Sequence, residues 1–312
     1  MLVLAPETLE PSAQRLYADF VPELPEVETI ARGLARRVCG DTIDSVWIGS
    51  KSQPLKSPAS TIAATLEGRR IVRVHRAGKH IVFDLEPAAG RLTKRKSSGG
   101  LGTLRDASLH SGHRNAQWIA HLGMTGRMVV TDPAADIAKH THLIAKLSSG
   151  RELRFIDPRM FGKLSVHLAG FDPGGVEPLE VGEEQFIALF RGRTTPIKSA
   201  LLNQKLLRGV GNIYADEALF RAGIRPRRRA ASITRAQFLK LRGAVQDVLR
   251  EAIALGGSSI NDYVDADGEE GFFQLQHRVY GREGKPCLVC RTAIKRVVLA
   301  GRSSHYCPKC QK

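Results

Sequence analysis

The sequence of 312 residues is poor in the features that mark membrane and secreted proteins. No apolar run reaches membrane-spanning length, so no transmembrane helix is predicted. No basic amphipathic helix with an aromatic face is present either, which disfavours a role on a membrane surface. Cysteine is scarce, with 5 in the chain, and nothing in the sequence indicates export. We therefore expect the cysteines to be reduced or bound to metal, not cross-linked.

Acidic residues are fewer than basic residues. The chain has 31 Asp and Glu against 47 Lys and Arg, which gives a net charge of +16. A strong positive excess is typical of proteins with a polyanionic partner, most often nucleic acid. The alternative is a basic surface with no such partner. The hydrophobic content of 42% and the length are enough for two domains with cores of their own.

Residues 21–29 combine two prolines with three glutamates and open a helical pattern. Pro25 suits a first helical turn, where no N–H is needed, and the glutamates match the positive end of the helix dipole. Apolar residues then recur at helical spacing as far as Val38, and Gly40 is a typical stop. The stretch therefore predicts an amphipathic helix.

The rest of the chain changes from a strand pattern to a helical one. Strands are predicted at 42–48, at 71–85 with a break at Gly78, and at 118–122, 143–147, 153–157 and 163–168. Residues 49–60 and the basic stretch 87–116 are predicted to be loops, the second an insertion that either touches phosphates or is a solvated tether. Helices are predicted at 183–191, 196–207, 212–222 and 234–255, the last with a capping box of Thr234 and Gln237.

These patterns predict an α+β protein. We expect a mostly β domain with a helix at its start over 22–170, a linker near 170–182, a helical domain over 183–276 and a small module over 277–312.

The strongest motif is in the last module. Two Cys-x2-Cys pairs, separated by sixteen residues, have the spacing of a four-thiolate zinc site, with a β-hairpin between the pairs. The predicted ligands of one structural Zn²⁺ are Cys287, Cys290, Cys307 and Cys310. Two disulfides are the alternative. Cys39 is predicted to be a buried core thiol at a helix end.

A second motif is the segment 203–217, NQKLLRGVGNIYADE. Gly209 and Gly211 allow a backbone phosphate to approach closely, and a helix that begins near Asn212 would turn its positive end toward that phosphate. The alternative is an ordinary helical corner in which the glycines serve packing.

Residues 22–29, PELPEVET, closely resemble the N-terminus of the formamidopyrimidine-DNA glycosylase family of bacterial base-excision enzymes. The segment 203–217 is similar to that family's helix–two-turn–helix element, and the cysteines to its zinc ribbon. RAGK (76–79), HLGMTG (121–126) and DPRMFG (157–162) match further family segments. The resemblance implies a fold with an N-terminal β-sandwich and its flanking helix, a helical domain with the two-turn element and a C-terminal zinc ribbon, with DNA held in the cleft between domains. It also implies a bifunctional glycosylase and AP lyase for oxidised purines.

The resemblance also implies roles for individual residues. Pro22 would be the nucleophile, Glu23 a general acid and Lys79 a helper in the elimination chemistry. Arg302, at the hairpin tip, would be a phosphate binder and the proton donor for the second elimination. Glu26 would support them. The gap left by an everted nucleotide would be filled by Met124, Arg159 and Phe161, because apolar side chains replace the lost stacking and Arg can bond the unpaired partner base. Further DNA contacts are expected at the following positions: His140, Arg193, Lys198 and Asn212.

Pro22 poses a chemical conflict. A proline amine can form an iminium with the sugar C1′, but a proline inside a chain is an amide with no free lone pair. Residues 1–20 are acidic and do not resemble a signal peptide, since they lack a basic start and a long apolar stretch. We expect residues 1–21 to be either a wrongly assigned start or a disordered extension, with a catalytic form that begins at Pro22. Otherwise Pro22 is not the nucleophile.

Three other hypotheses stay open. An endonuclease VIII-like enzyme would act on oxidised pyrimidines, although PELPEVET points away from it. A damaged-DNA-binding protein without catalysis would leave Pro22 in its peptide bond. A zinc-ribbon module from another pathway would lack the other motifs.

The partner expected is double-stranded DNA with oxidised bases or abasic sites. The loop 265–273 is the candidate cap over the everted base. We expect a monomer in the bacterial cytoplasm, associated with the nucleoid.

Binding to duplex DNA should depend steeply on salt, because each neutralised phosphate releases condensed counterions. Affinity should fall by orders of magnitude between about 50 and about 200 mM salt. Fluorescence anisotropy titrations across that range measure it, and a flat dependence would contradict it. Deletion of residues 91–114 asks whether the basic insertion contributes to the slope.

Overall fold

The computed structural model describes residues 21–88, 115–258 and 272–312. Contacts divide the chain into two compact units. The sheet unit is formed by residues 30–172. The helical unit is formed by residues 173–312 together with the N-terminal residues as far as Thr29. Among the described residues, none of the helices combines the length and apolar content needed to cross a bilayer.

The first helix, α1 (Leu24–Val38), follows the predicted pattern. The Glu26 carboxylate accepts a hydrogen bond from the Glu23 backbone N–H at 2.9 Å, so the acidic residue in the first turn satisfies a donor that the helix itself cannot. Arg36 and Arg37 lie in the last turn, where positive charge is favoured. Gly40 follows with φ of +96°, and its N–H donates to the Ile71 carbonyl at 2.8 Å.

The sheet unit contains two four-stranded antiparallel sheets with the orders β1-β6-β7-β5 and β2-β3-β4-β8. The strands are β1 (Ile43–Ile48), β2 (Arg69–Ala77), β3 (His80–Pro87), β4 (Ala116–His121), β5 (Arg127–Thr131), β6 (Thr141–Leu147), β7 (Glu152–Ile156) and β8 (Lys163–His167). Both sheets contribute fully buried side chains, among them Phe83 and Trp118 from one and Leu143 and Phe155 from the other. The rings of Phe83 and Trp118 stack at 4.7 Å across β3 and β4.

The helical unit is built on four α-helices and a C-terminal hairpin. Its elements are α3 (Glu183–Phe190), α4 (Ile197–Leu201), α5 (Asn212–Ala222), α6 (Arg235–Ala254), β9 (Lys295–Leu299) and β10 (Arg302–Tyr306), with short 3₁₀ turns at Ala230–Ser232 and Phe273–Gln276. Buried rings of Phe186, Phe190 and Phe238 pack together in its core. The capping box of Thr234 and Gln237 starts α6, as predicted.

The mixed helix-and-sheet class is confirmed, with three local differences. A helix, α2 (Ala59–Leu66), begins inside the stretch predicted as a loop, and strand β5 was not predicted. The helix predicted at 196–207 ends at Leu201. The Asn203 side chain accepts a hydrogen bond from the Lys205 N–H at 3.0 Å, and this local turn competes with helix continuation.

The structure contradicts the prediction for Cys39 and leaves most of two predicted loops undescribed. Cys39 is exposed, so the prediction of a buried thiol was wrong; it lies one residue beyond the last turn of α1 and not on the helix face that is buried. Most of the predicted loop 87–116 and of the proposed cap 265–273 lies outside the described residues.

Candidate active site and nucleic-acid interface

Pro22 and Glu23 lie at the start of α1, and both are buried. The Glu23 Oε1 atom accepts a hydrogen bond from the Ile213 backbone N–H at 3.2 Å, in the first turn of α5. A carboxylate at a helix N-terminus is stabilised both by the unsatisfied N–H groups and by the helix dipole. The site therefore fixes an acidic group immediately after Pro22.

Gly211 makes room for that carboxylate. A Cβ atom at this position would lie 2.1 Å from the Glu23 Cδ atom. Its backbone is extended, so the need for glycine comes from the close approach and not from strain. Gly209, by contrast, has φ of +85°, and its carbonyl accepts from the Leu24 N–H at 3.0 Å.

The turn between Asn203 and α5 is held by one side chain. Gln204 accepts from the Gly209 N–H at 2.8 Å and donates to the Val210 carbonyl at 2.8 Å. These bonds replace the backbone partners that the irregular segment lacks. The position of the α5 N-terminus is thereby fixed from within the helical unit.

Glu26 is the most enclosed acid near this site, with 0% exposure. Its carboxylate accepts from the backbone N–H groups of Glu23 and Ser258, at 2.9 and 2.8 Å, and from the Tyr214 hydroxyl. Burial raises the pKa of Glu26, although the hydrogen bonds oppose the shift. Burial and the neighbouring Glu26 raise the pKa of Tyr214 well above its usual value. The group has no open side for a substrate, so its role is to hold the backbone of Glu23.

Asn212 begins α5 and faces the hairpin. Its Nδ2 atom donates to the Ser303 hydroxyl at 3.2 Å, and its buried Oδ1 has no hydrogen-bond partner among the described residues. Arg302, next to Ser303, is exposed. The hairpin tip that precedes it uses positive φ at Ala300 and Gly301, of +47° and +76°, which suits a tight hairpin turn.

The structure does not present Lys198 to a ligand, in contrast to the DNA contact predicted from the sequence. The side chain has 0% exposure. Its ammonium lies 2.7 Å from the Asp216 Oδ1 atom and donates to the Ser303 carbonyl at 2.6 Å. Burial lowers the pKa of Lys198, and Asp216 opposes the shift. Arg193 is exposed, with its Nε donating to the Leu189 carbonyl at 2.6 Å.

The sheet unit brings the other predicted DNA-binding loops together. The buried Asp157 carboxylate accepts from the Gly162 N–H at 2.7 Å, from the Thr125 hydroxyl at 2.5 Å and from the Arg159 N–H at 3.3 Å. A Cβ at Gly123 would lie 2.5 Å from the Gly162 nitrogen, so the backbones of the two loops are in direct contact there.

The tips of these loops carry the predicted wedge. Phe161 is 49% exposed, which is unusual for so large an apolar side chain, and the Arg159 guanidinium lies 4.8 Å from its ring centroid. Met124 is half-buried. His140, exposed and with φ of +69°, accepts through its carbonyl from the Asp157 N–H at 3.0 Å. The arrangement presents an apolar ring and a cation on one rigid support.

Lys79 lies in the turn between β2 and β3, after Gly78 with φ of +61°. Its charge contributes to the low pKa of the nearby His121, about 4, of which burial and His80 are the larger causes. His121 thus stays neutral near neutral pH, and no protonated imidazole adds to the charge of Lys79 there.

The four predicted zinc ligands form one cluster, with all four Sγ atoms within 4.8 Å of one another. The Cys287–Cys310 and Cys290–Cys307 separations are 3.9 and 3.4 Å. Sulfur atoms at the corners of a tetrahedron with Zn–S bonds of about 2.3 Å would be about 3.8 Å apart. All four cysteines are free, and these two Sγ separations are longer than the disulfide bond length of about 2.05 Å. The donor set and its geometry fit zinc.

Sequence reasoning missed several residues that hold this site: Tyr214, Asp216, Ser258 and Gln204. One signal was available. Asn212 and Asp216 are polar residues four apart in the helix predicted at 212–222, so they share a face. Nothing local to Ser258 or Gln204 marks them.

Replacement of Gly211 by alanine should displace the Glu23 carboxylate, because the new methyl group would overlap it. We expect a loss of about 1–3 kcal/mol in unfolding free energy, typical of an overpacked site. Denaturant unfolding measures it. Gly243→Ala in α6 is the matched control, since nothing lies within 4 Å of its Cβ position, and it should be neutral or stabilising. Equal effects of the two substitutions would contradict the packing role of Gly211.

Three family models match successive parts of the chain. The formamidopyrimidine-DNA glycosylase N-terminal domain matches residues 21–164, the H2TH domain of the same enzymes residues 175–264, and the zinc finger found in FPG and IleRS residues 284–312. A formamidopyrimidine-DNA glycosylase of Solibacter usitatus is 43% identical, over 94% of this chain and 100% of its own. One from Desulfitobacterium hafniense is 40% identical, over 93% of this chain and 100% of its own.

Solved structures agree with these matches. The MutM (Fpg) protein of Thermus thermophilus has a TM-score of 0.75 at 38% identity, over 93% of this chain and 98% of its own. A mutant Lactococcus lactis Fpg in complex with Fapy-dG-containing DNA has a TM-score of 0.77 at 29% identity, over 93% of this chain and 100% of its own. Since relatives above 30% identity are matched over their full length, the chain belongs to the formamidopyrimidine-DNA glycosylase family.

Proposed function

We propose that this protein is a bifunctional DNA glycosylase and AP lyase that removes oxidised purines, with Pro22 as the nucleophile. The observation that carries the proposal is the buried Glu23 carboxylate, fixed against the α5 N-terminus one residue after Pro22. Family membership supports a DNA glycosylase that acts on damaged DNA. Relatives of this fold have been solved with DNA containing Fapy-dG, carbocyclic 8-oxo-G and an abasic site.

The reaction requires a free amine at Pro22. Its nitrogen forms a bond to the sugar C1′ and the bond from C1′ to the damaged base breaks, with a proton going to the base. Glu23, within reach because it is adjacent, protonates the sugar ring oxygen, and the ring opens to an iminium. Loss of the C2′ proton then expels the 3′ phosphate, and a second elimination expels the 5′ phosphate, with Arg302 as the proposed proton donor.

A peptide-bonded proline cannot take part, because its lone pair is delocalised into the carbonyl. We therefore propose that the catalytic form begins at Pro22. The match to the N-terminal family model begins at Val21, immediately before that residue, which supports the assignment. Lys79 is the alternative amine. At an ordinary pKa of about 10.4 a lysine is mostly protonated and unreactive at neutral pH.

DNA recognition is assigned to both units. In the sheet unit, the exposed Phe161 ring with Arg159 above it, and Met124, are proposed to fill the space of an everted nucleotide. In the helical unit, Asn212 and Arg302 are proposed to bind phosphate, since a helix N-terminus and an exposed guanidinium both favour anions. His140 and Arg193 are proposed as further phosphate contacts.

Oxidised pyrimidines are the second candidate substrate class. One observation favours keeping it: a wild-type Lactococcus lactis Fpg, 29% identical, has been solved with DNA containing an oxidised pyrimidine. A damaged-DNA-binding protein without catalysis is the outcome if Pro22 keeps its peptide bond.

Borohydride trapping tests the nucleophile. Two forms of the chain are compared, one that begins at Pro22 and one that retains residues 1–21, on duplexes carrying 8-oxoguanine opposite cytosine, a formamidopyrimidine or thymine glycol. The short form should give a covalent protein–DNA complex, because borohydride reduces the iminium to a stable amine. The long form should bind without trapping.

Intact mass of both forms is the control, since it confirms whether the extension remains. Equal trapping by both forms would refute Pro22 and direct attention to Lys79. Preference for thymine glycol over the two purine lesions would reject the proposed substrate class while leaving the nucleophile intact.

We also propose that the four-cysteine cluster holds one structural zinc. The family model and the sulfur geometry support zinc at this place. Metal analysis of native protein should give about one zinc per chain, the stoichiometry of a single four-thiolate site. Cys290→Ser should lose the metal and weaken DNA binding, whereas Cys39→Ser, at an exposed cysteine outside the cluster, should do neither. Native protein without zinc would contradict the proposal.

A further inference from the structure

Helix α5 and strand β10 are joined by bonds at matched spacings. Asn212 donates through Nδ2 to the Ser303 hydroxyl at 3.2 Å, and Asp216 accepts through Oδ2 from the His305 N–H at 2.8 Å. Four residues of helix rise about 6 Å, and two residues of strand advance about 6.6 Å. The two periods therefore coincide, and a shift of β10 by one residue would turn both partners away.

Lys198, on α4, contacts both α5 and β10. Its ammonium forms an ion pair with Asp216, 2.7 Å from the Oδ1 atom, and donates to the Ser303 carbonyl at 2.6 Å. Lys198 therefore connects a side chain of α5 with the backbone of β10, the same two elements that the hydrogen bonds of Asn212 and Asp216 join. Both Lys198 and Asp216 are almost fully buried, so water solvates neither charge and each depends on the other for stabilisation.

The fixed strand begins with Arg302, one residue before Ser303. Arg302 is exposed, and its side chain is long and mobile by nature, so only its backbone can be set in place. The helix side of the arrangement begins with Asn212, and Glu23 bonds the same first turn of α5. The network thus fixes the spacing between groups assigned to phosphate binding.

We propose that Lys198 is a positioning residue that sets Arg302 against the α5 N-terminus through Asp216 and the Ser303 carbonyl, and that it contacts no DNA phosphate. The inference rests on the proposed phosphate-binding role of Arg302 and Asn212. It replaces the direct DNA contact that the sequence predicted for Lys198.

Salt dependence separates the two roles. A lysine that binds a phosphate releases counterions, so its removal lowers the slope of log affinity against log salt by about 0.9. A positioning lysine acts through Arg302, so its removal lowers the slope no further once Arg302 has been replaced. A purely structural lysine would change protein stability and leave the affinity of the folded protein unaltered.

The experiment measures binding of the full chain to a duplex with a tetrahydrofuran abasic analogue at several salt concentrations. Lys198→Met should weaken binding about tenfold, and Arg302→Ala should lower the slope by about 0.9. Lys198→Met added to Arg302→Ala should leave that lowered slope unchanged. Combined with Lys198→Met, Arg302→Ala should cost less than it does alone, because two residues that act through one network are not additive. Lys240→Met, at an exposed lysine of α6, is the matched control.

Lys198→Met leaves the Asp216 charge buried without its partner and can impair folding. The double variant Lys198→Met with Asp216→Asn removes that charge and keeps an oxygen for the His305 N–H. It should recover thermal stability but not affinity, because the Ser303 carbonyl still lacks its donor.

A further fall in slope of about 0.9 when Lys198→Met is added to Arg302→Ala would establish a separate phosphate contact of Lys198 and overturn the proposal. Unchanged affinity, or full additivity with Arg302→Ala, would overturn it as well. If the unaltered protein bound duplex DNA without salt dependence, or Arg302→Ala had no effect, the proposed function of the interface would fail, and this outcome is distinct from a failure at Lys198.

Discussion

Buried polar groups on α5 determine how the helical unit is assembled. The helix is almost entirely buried, yet it carries Asn212, Asp216 and Glu217. A buried carboxylate without partners costs several kcal/mol, so each must be matched by a donor from elsewhere in the chain. Glu217, with 0% exposure, accepts from the backbone N–H groups of Arg278, Val279 and Tyr280 at 2.9–3.1 Å. Each acid thereby fixes a segment that would otherwise be free to shift.

The same constraint acts at the start of the chain. Glu26 holds the Glu23 N–H, and the Glu23 side chain in turn holds α5. These bonds are short-range, directional and largely shielded from water, and they orient the acidic group beside Pro22. Preorganised groups of this kind accelerate reactions because they need no rearrangement when charge develops. This arrangement requires ionisable groups to be buried, and burial raises the pKa values of Glu26 and Glu217.

The sheet unit presents an apolar ring, that of Phe161, to solvent. Asp157 binds the backbone of the loop that carries Phe161, and Gly123 and Gly162 allow the two loops to approach more closely than any side chain would permit. The exposed ring is therefore held in place by a buried carboxylate. An exposed aromatic on a rigid support suits insertion between bases, where stacking replaces lost contact with water.

Local sequence patterns determined much of this protein. The apolar spacing after Pro25 predicted α1, Thr234 and Gln237 predicted the start of α6, and the two Cys-x2-Cys pairs predicted the metal cluster. Each depends on residues a few positions apart, whose geometry the backbone itself dictates.

Only the tertiary structure decided the roles that depend on distant partners. The sequence predicts Lys198 as a DNA contact, but the carbonyl that it bonds lies 105 positions away, and in the folded chain its ammonium is buried in an ion pair with Asp216. Tyr214 and Ser258 meet Glu26 across separations of 188 and 232 residues. Charge and spacing along a chain are local properties, whereas desolvation is set by everything that surrounds a side chain, and for these residues desolvation determines what the charge can do.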